Sequence, residues 1–405
     1  MCGFVGFFNL ENINHEDANN ALQIMTDSLI HRGPDAGGTF SDLENNLYLG
    51  HRRLSILDTS DGGLQPMKSK SGNLVIVFNG EIYNHNELRT QLKQEGQTIS
   101  WDSSSDTETL LAAFEFWGIQ ETLPKLRGMF SIAIWDRLNN NFYLIRDRFG
   151  EKPLYFGWIK GEGASSFGFA SELKALKKYP NFFNKISHSA LVQFFTYMYV
   201  PCPMSIFENI YKLEPGCILK INSQPPVTPP KQTLHSVSGS TITYENISIS
   251  RWYDLKQIVE KASTNLFTNF QEASDTLEEE LLNVIKMQRL SDVPLGAFLS
   301  GGVDSSLIVA LMQKQSTNPI KTFTIGFENP DFNEAPFAEA VSSQLRTDHS
   351  ELLVTASDAQ SVIPNLAHLY DEPFADYSQI PTYFVCKSAK QSVTVSLSGD
   401  AGDEL

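Results

Sequence analysis

Four cysteines, Cys2, Cys202, Cys217 and Cys386, are too few and too scattered for a disulfide scaffold, and neither they nor the eight histidines fall at metal-ligand spacing. No transition metal is expected, and the three later cysteines read as inert buried thiols. A surplus of positive charge is also missing. The formal net charge is −16, so a nucleic acid or an anionic membrane would repel the chain. No run approaches the ~18 apolar residues of a membrane span, and the start has no basic stretch leading into an apolar core, so a cytoplasmic protein is expected. The phosphate loop GxxxxGK[ST] does not occur.

What the chain does have is apolar mass. Its 405 residues, 41% of them hydrophobic, exceed what one ordinary core absorbs, so two domains are expected. The first residues, Met1-Cys2-Gly3-Phe4-Val5-Gly6, carry the most chemistry. Removal of Met1 would leave Cys2 with a thiol and a free α-amine on one residue. That amine, with an ordinary pKa near ~7.7–8.0, is partly neutral at physiological pH and can take a proton, while a thiolate is the most nucleophilic common side chain. Residues 4–8 form a short apolar run able to anchor the terminus in a buried strand. An early cysteine on a frayed end is the alternative.

Helical apolar spacing over 17–29 runs into HRGPDAGG at 31–38, whose glycines and proline predict a loop, either a plain turn or a binding loop. HRRLSILD at 51–58 sets two arginines among apolar residues. A guanidinium there requires an anion, either a bound carboxylate or an internal salt-bridge partner. A strand predicted over 73–78 ends at Asn79-Gly80, where a turn would present a side-chain amide and backbone N–H groups, the parts of an oxyanion hole. The helical pattern of 87–95 argues against a simple hairpin. SSSDTET at 103–109 precedes an apolar helix over 110–117, so Ser105 or Asp106 is either an N-cap or a carboxylate that holds an ammonium group. Strands at 129–135 and 142–145 flank Asn139-Asn140-Asn141 as a hairpin, with further strands at 154–158 and 167–170.

MCGFVGFF, HRGPDAGG, HRRLSILD, FNGEIYNH and SSSDTET, in this order, resemble the class II glutamine amidotransferase domain of the N-terminal-nucleophile hydrolases. The resemblance implies a four-layer α/β/β/α sandwich over residues 1–200 that hydrolyses glutamine to glutamate and ammonia. It implies Cys2 as nucleophile with its freed amine as base, and Asn79 and Gly80 as the oxyanion hole. Arg53 would clamp the glutamine α-carboxylate and Asp106 its α-ammonium, with Leu54, Ile56 and Glu81 lining the pocket.

Residues 201–270 read as a linker, in which a Pro-rich run at 225–230 and a Ser/Thr-rich run to 250 predict an extended or mobile surface insertion. In the third segment, 271–405, helical spacing over 274–289 and a strand over 293–299 deliver SGGVDSS at 300–306, followed by an apolar helix over 307–312. Glycines after a strand let backbone N–H groups converge on an anion, and the helix N-terminus adds positive potential, as a polyphosphate requires. Strands predicted at 321–327, 350–354 and 393–397 alternate with helices at 334–344, up to 370 and at 378–389, the pattern of a doubly wound parallel sheet. In such sheets ligands gather at the carboxyl ends of strands, where Ser300 and Ser398 fall.

SGGVDSS, FTIGF at 323–327, DEPFADYSQIP at 371–381 and SGDAGDE at 398–404 add a resemblance to the glutamine-hydrolysing asparagine synthetase family that spans nearly the whole chain. It implies ATP-dependent amidation of aspartate through an acyl-adenylate, release of AMP, pyrophosphate and glutamate, and an internal passage for ammonia. Leu299, Ser300, Gly301, Gly302, Ser305, Ile325, Ser398 and Gly399 would contact ATP, Asp304 and Asp403 would hold Mg2+, and Asp400 would lie near the adenylate. Glutamine, aspartate and ATP are the implied ligands, with no nucleic acid and no membrane, and a homodimer is compatible. Ala401 stands where the family usually has glycine. Members of the family continue past the position of Leu405, so the second domain is expected to be truncated. Two alternatives stay open: amidation of another carboxylate, and glutamine hydrolysis or ligand binding alone.

Overall fold

The computed structural model describes residues 1–10, 13–160, 165–236 and 238–400, in two units. The first gathers Met1–Thr264 with Tyr370–Phe374, the second Asn265–Leu369 with Ala375–Leu405. The first unit begins with β1 (Gly3–Phe8), α1 (His15–Asp27), β2 (Ala36–Asp42), β3 (Leu47–Arg53), β4 (Met67–Lys68) and β5 (Leu74–Ile82). Helices α2 (His85–Gln94), α3 (Asp106–Trp117) and α4 (Ile119–Thr122) follow, then β6 (Gly128–Asp136), β7 (Asn141–Arg146), β8 (Tyr155–Lys160) and β9 (Ser165–Ala170). Helices α5 (Leu173–Leu176) and α6 (His188–Tyr197) precede β10 (Ile210–Lys212), β11 (Cys217–Asn222), β12 (Ile242–Tyr244), β13 (Ile247–Arg251) and α7 (Leu255–Ala262).

Two antiparallel sheets result, ordered β10-β8-β9-β1-β3-β2 and β12-β13-β11-β7-β6-β5-β4. Alternation sorts the side chains of β1. Phe4 and Phe8 enter a core shared with Leu49, Val77, Trp135 and Phe142, between the sheets, while Val5 and Phe7 join Ala18, Leu22 and Met25 of α1. A third core packs Ile76, Phe78 and Ile82 of β5 against Leu88 of α2 and Leu110 and Phe114 of α3. Helices thus cover both outer faces, giving the expected α/β/β/α sandwich. All six residues of β1 are buried, and each buried large apolar side chain contributes about 1.5–3 kcal/mol by area. The strand cannot fray without losing several such contributions, so the residue just before it, Cys2, is held in place.

Three local expectations change. Asn79-Gly80 is not a turn: β5 runs through it to Ile82, with Asn79 opposite Ser131 and Gly80 opposite Phe130 of β6. Ala36, Gly37 and Gly38 of HRGPDAGG lie in β2, paired with Arg53, Arg52 and His51, because a full antiparallel ladder satisfies their backbone and overrides the low strand propensity of glycine. The Pro/Ser/Thr-rich stretch is not a free insertion either. Its end folds as the β12–β13 hairpin at the edge of the second sheet, and Trp158 Nε1 donates to Pro226 O at 2.7 Å. Of the three later cysteines only Cys217 is buried; Cys202 and Cys386 are exposed.

The second unit contains α8 (Phe270–Gln288), β14 (Leu295–Phe298), α9 (Val303–Lys314), β15 (Lys321–Phe327), α10 (Ala335–Leu345), β16 (Asp348–Val354), α11 (Ala356–Val362), α12 (Leu366–Leu369), α13 (Gln379–Ala389) and β17 (Val395–Leu397). Its sheet, β16-β15-β14-β17, is parallel throughout. Ala297 and Leu299 pack against Val309 and Met312 of α9 and Ala338 of α10, and Phe323 packs against Ala389 and Val393. Both faces are covered, as a parallel sheet requires. No helix among the described residues is long and apolar enough to cross a membrane.

Candidate active site

Cys2 immediately precedes β1, and β1 pairs with β3, so the thiol meets the segment that leaves β3 at Arg53. The Leu54 N–H donates to Sγ at 3.4 Å, and Sγ donates to the Leu54 carbonyl at 3.6 Å. Burial pushes the thiol pKa up more than the Leu54 contact lowers it. A proton acceptor is therefore needed to generate thiolate. Cys2, Arg53, Leu54, Ile56, Gly80, Glu81 and Asp106 line one pocket, together with Gln65 and Phe78.

Arg53 is 6% exposed, and among the described residues its mount is backbone carbonyls and not an internal salt bridge. Its Nη1 donates to Ser60 O at 2.7 Å, and its Nη2 donates to Leu57 O at 3.3 Å and to Asp58 O. Three backbone carbonyls fix the guanidinium and leave its charge unneutralised, with Nε and one Nη1 hydrogen not used by them. The neighbouring Arg52 takes the salt-bridge alternative, pairing with Asp27. Asp58 braces the loop by accepting from Ser60 N at 3.0 Å and from Ser104 N at 2.8 Å.

The choice between Ser105 and Asp106 is resolved by geometry. Ser105 is the N-cap of α3, its side chain accepting from Thr107 N. Asp106 instead accepts from Ile82 N at 2.8 Å, tying α3 to the end of β5. Burial raises its carboxyl pKa, against the Ile82 hydrogen bond and His85.

Gly80 lines this pocket, and Asn79 precedes it in β5 without being among the lining residues. Asn79 is 1% exposed and its Nδ2 has no hydrogen-bond partner among the described residues. Opposite Gly80, Phe130 commits its N–H to Asp147 Oδ2 at 3.1 Å and its carbonyl to Asp147 N at 2.9 Å. Gly80 and Phe130 are therefore a non-hydrogen-bonded pair, and the Gly80 N–H is directed away from β6. A Cβ at Gly80 would fall 2.2 Å from Met129 O, so only glycine lets the strands approach here.

The sequence reading assigned no role to Arg32 or Gln65. Arg32 Nε donates to Cys2 O at 2.8 Å while its Nη1 pairs with Glu172 at 2.7 Å. HRGPDAGG flagged this loop, but the contact depends on Glu172, 140 positions away. Gln65 Oε1 accepts from Phe78 N at 2.6 Å; nothing local marked it.

In the second unit, β14, β15 and β17 lie side by side, which puts Leu299, Ser300, Ile325, Ser398 and Gly399 at or near the carboxyl ends of adjacent strands. The Ser300 N–H donates to Ser305 Oγ at 3.2 Å, and Gly302 N donates to Ser300 Oγ at 3.2 Å, folding Gly301 and Gly302 into the N-terminus of α9. A Cβ on Gly399 would lie 2.7 Å from Ser305 N, so this glycine lets the end of β17 touch the same turn. Asp304, in the first turn of α9, is half-buried. Asp400 is exposed and accepts from Ser398 Oγ at 3.0 Å. Asp403 and Ala401 lie outside the described residues. Carboxylate and hydroxyl oxygens of Asp304, Ser300 and Ser305 are a hard donor set of the kind Mg2+ takes alongside phosphates.

Residues 1–230 match the glutamine amidotransferase domain family and residues 276–405 the asparagine synthase family. Asparagine synthetase [glutamine-hydrolyzing] 1 of Bacillus subtilis is 36% identical, the alignment covering 100% of this chain and 58% of that protein. A putative asparagine synthetase [glutamine-hydrolyzing] 2 of Methanocaldococcus jannaschii is 33% identical over 100% of this chain and 75% of that one. A solved glutamine phosphoribosylpyrophosphate amidotransferase from B. subtilis, complexed with ADP and GMP, is similar at 16% identity and a TM-score of 0.41, over 86% of this chain and 65% of that chain. The chain thus spans little more than half the length of its Bacillus relative, 58%. With a relative at 33% identity aligned over 75% of its length and an amidotransferase match over residues 1–230, this chain belongs to the glutamine-hydrolysing asparagine synthetase family.

Proposed function

We propose that the chain hydrolyses glutamine within residues 1–200 and uses the ammonia within residues 271–405 to amidate aspartate at the expense of ATP. The observation that carries the first half is the buried Asn79 amide, whose nitrogen has no partner among the described residues, next in β5 to Gly80, which lines the pocket that also holds Cys2. Arg53 takes the α-carboxylate of glutamine and Asp106 its α-ammonium, with Leu54, Ile56 and Glu81 along the pocket wall. The Cys2 thiol passes its proton to the freed α-amine, and Sγ attacks the side-chain carbonyl carbon. Negative charge on the carbonyl oxygen falls to Asn79 Nδ2 and the Gly80 N–H. The C–N bond breaks as the amine returns the proton to leaving ammonia, and water then cleaves the thioester to glutamate and free thiol.

In the second half, a carboxylate oxygen of aspartate attacks the α-phosphate of ATP and pyrophosphate leaves, after which ammonia displaces AMP from the adenylate. The backbone of Ser300, Gly301 and Gly302 and the α9 N-terminus receive phosphate oxygens, Ser305 fixes that loop, and Leu299, Ile325, Ser398 and Gly399 receive the rest of the nucleotide, with Asp400 near the adenylate. Asp304, with Asp403, would hold Mg2+, which when bound neutralises charge on the leaving pyrophosphate.

The test is glutamine-dependent pyrophosphate release by purified protein. Aspartate-stimulated AMP formation supports the proposal, and glutamate release without AMP restricts it to hydrolysis. Cys2→Ala is expected to abolish glutamine-dependent turnover and spare ammonia-dependent ligation; glutamine turnover that survives the substitution removes Cys2 from the mechanism.

A further inference from the structure

Lys152 is a buried cation on a rigid mount. It is 6% exposed. Its backbone N–H donates to Asp147 Oδ2 at 3.0 Å, and its carbonyl accepts from Arg146 Nε at 3.0 Å, so the loop between β7 and β8 is held from both sides. Among the described residues its ammonium forms no ion pair, and its hydrogen-bond partner is the Met1 thioether, 3.3 Å away. A lysine ammonium is strongly hydrated, and burying one without a paired anion is costly. The side chain that it touches is the one that departs when Met1 is removed.

Other charged groups surround the same terminus. Arg32, from the loop after α1, donates to Cys2 O at 2.8 Å and has Nη2 4.0 Å from the Met1 thioether. Its charge is shared with Glu172, 2.7 Å away. Glu81 of β5 acts in the opposite sense, favouring a charged amine; burial, with Arg32, lowers the Lys152 pKa, against Glu151, Asp147 and Glu81, which favour its charge. Burial, with Arg32 and Lys152, brings the Met1 ammonium down to about 6 despite Cys2 and Glu81. Loss of Met1 moves the free amine one residue along the chain, about 3.8 Å between Cα atoms.

We propose that Lys152 is a positioning residue for the amino-terminal base: once Met1 is gone, its ammonium faces the Cys2 α-amine and keeps that amine neutral, ready to take the thiol proton. The physical cause is repulsion between two cations, one of them carried on a buried side chain. This rests on the glutamine-hydrolysing role proposed for Cys2, but its test separates the two.

The full chain, with Met1 removal verified by intact mass, is labelled with 13C-cysteine, and the Cys2 α-carbon, assigned by its loss in Cys2→Ser, is titrated by NMR. The wild-type amine is expected to titrate below the ordinary ~7.7–8.0 range. In Lys152→Met that midpoint, and the acid limb of kcat/KM for glutamine, rise together by about one pH unit, while Lys152→Arg keeps both within about 0.3. A wild-type amine in the ordinary range overturns the inference without any variant, as does a midpoint that Lys152→Met leaves in place. If Lys152→Met does not fold, Lys152→Gln carries the same comparison. A matured protein that never turns over glutamine defeats the proposed function, while the NMR midpoint still decides the part played by Lys152.

Discussion

At Asn79 a side-chain amide is buried with its nitrogen unsatisfied among the described residues, a state that costs about 1–3 kcal/mol in an ordinary core. Asn79→Ala is therefore expected to lower kcat for glutamine hydrolysis about 10²–10³-fold, while urea denaturation finds the protein no less stable. A loss of stability equal to the loss of activity would mark the residue as structural. Asp106 makes the reverse trade. Burial raises its carboxyl pKa, so the folded protein keeps that proton to higher pH than the unfolded chain. Stability falls as pH climbs from the ordinary aspartate range toward the folded value. Asp106→Asn should raise the denaturation midpoint at pH 7 and raise KM for glutamine at least about tenfold, because the proposed ammonium clamp is lost. A variant less stable than wild type at pH 7 would contradict this reading.

At the scale of elements, Glu172 joins two pieces that hold the nucleophile. It immediately precedes α5, without a side-chain capping bond, and pairs with Arg32, His31 and Lys174. Despite burial, these partners bring its pKa from 4.5 to about 2. The sign follows from linkage: the stabilisation is complete above 4.5 and is lost as pH falls toward about 2. Glu172→Gln is predicted to cost on the order of 3 kcal/mol at pH 7, measured by urea titration, with the deficit shrinking below pH 4. The contact between β5 and β6 invites another substitution. Gly80→Ala would drive a Cβ to 2.2 Å from Met129 O. Separation of the two strands should appear as faster amide exchange in β6 together with lost glutamine hydrolysis; unchanged exchange would mean that the backbone absorbs the methyl group.

Across the whole molecule, the chemistry divides between units with different sheet logic. The antiparallel sandwich carries its pocket at the end of β3 and along β5, whereas the parallel sheet gathers SGGVDSS and the end of β17 at strand carboxyl ends. Asp304→Asn is expected to weaken binding of Mg2+-ATP at least about tenfold by calorimetry and to leave KM for glutamine unchanged, since the pocket proposed for glutamine is lined entirely from the first unit. Equal weakening of both ligands would count against separate sites.

The alternating phenylalanines and valine of β1, the strand–loop–helix texture around SGGVDSS and the thiol at residue 2 were legible in the sequence, because periodicity, turn chemistry and reactivity are local properties. Which donors are already used is not local. That Arg53 rests on carbonyls, that Ser105 caps while Asp106 reaches Ile82, and that Gly80 keeps its N–H clear of β6 follow from pairings and packing between distant segments. Lys152 comes within 3.3 Å of a residue 151 positions earlier only because the loop after β7 folds back onto the amino terminus. Sequence chose the reactive groups, and tertiary structure decided which of their hydrogen bonds and charges were left unspent for a ligand.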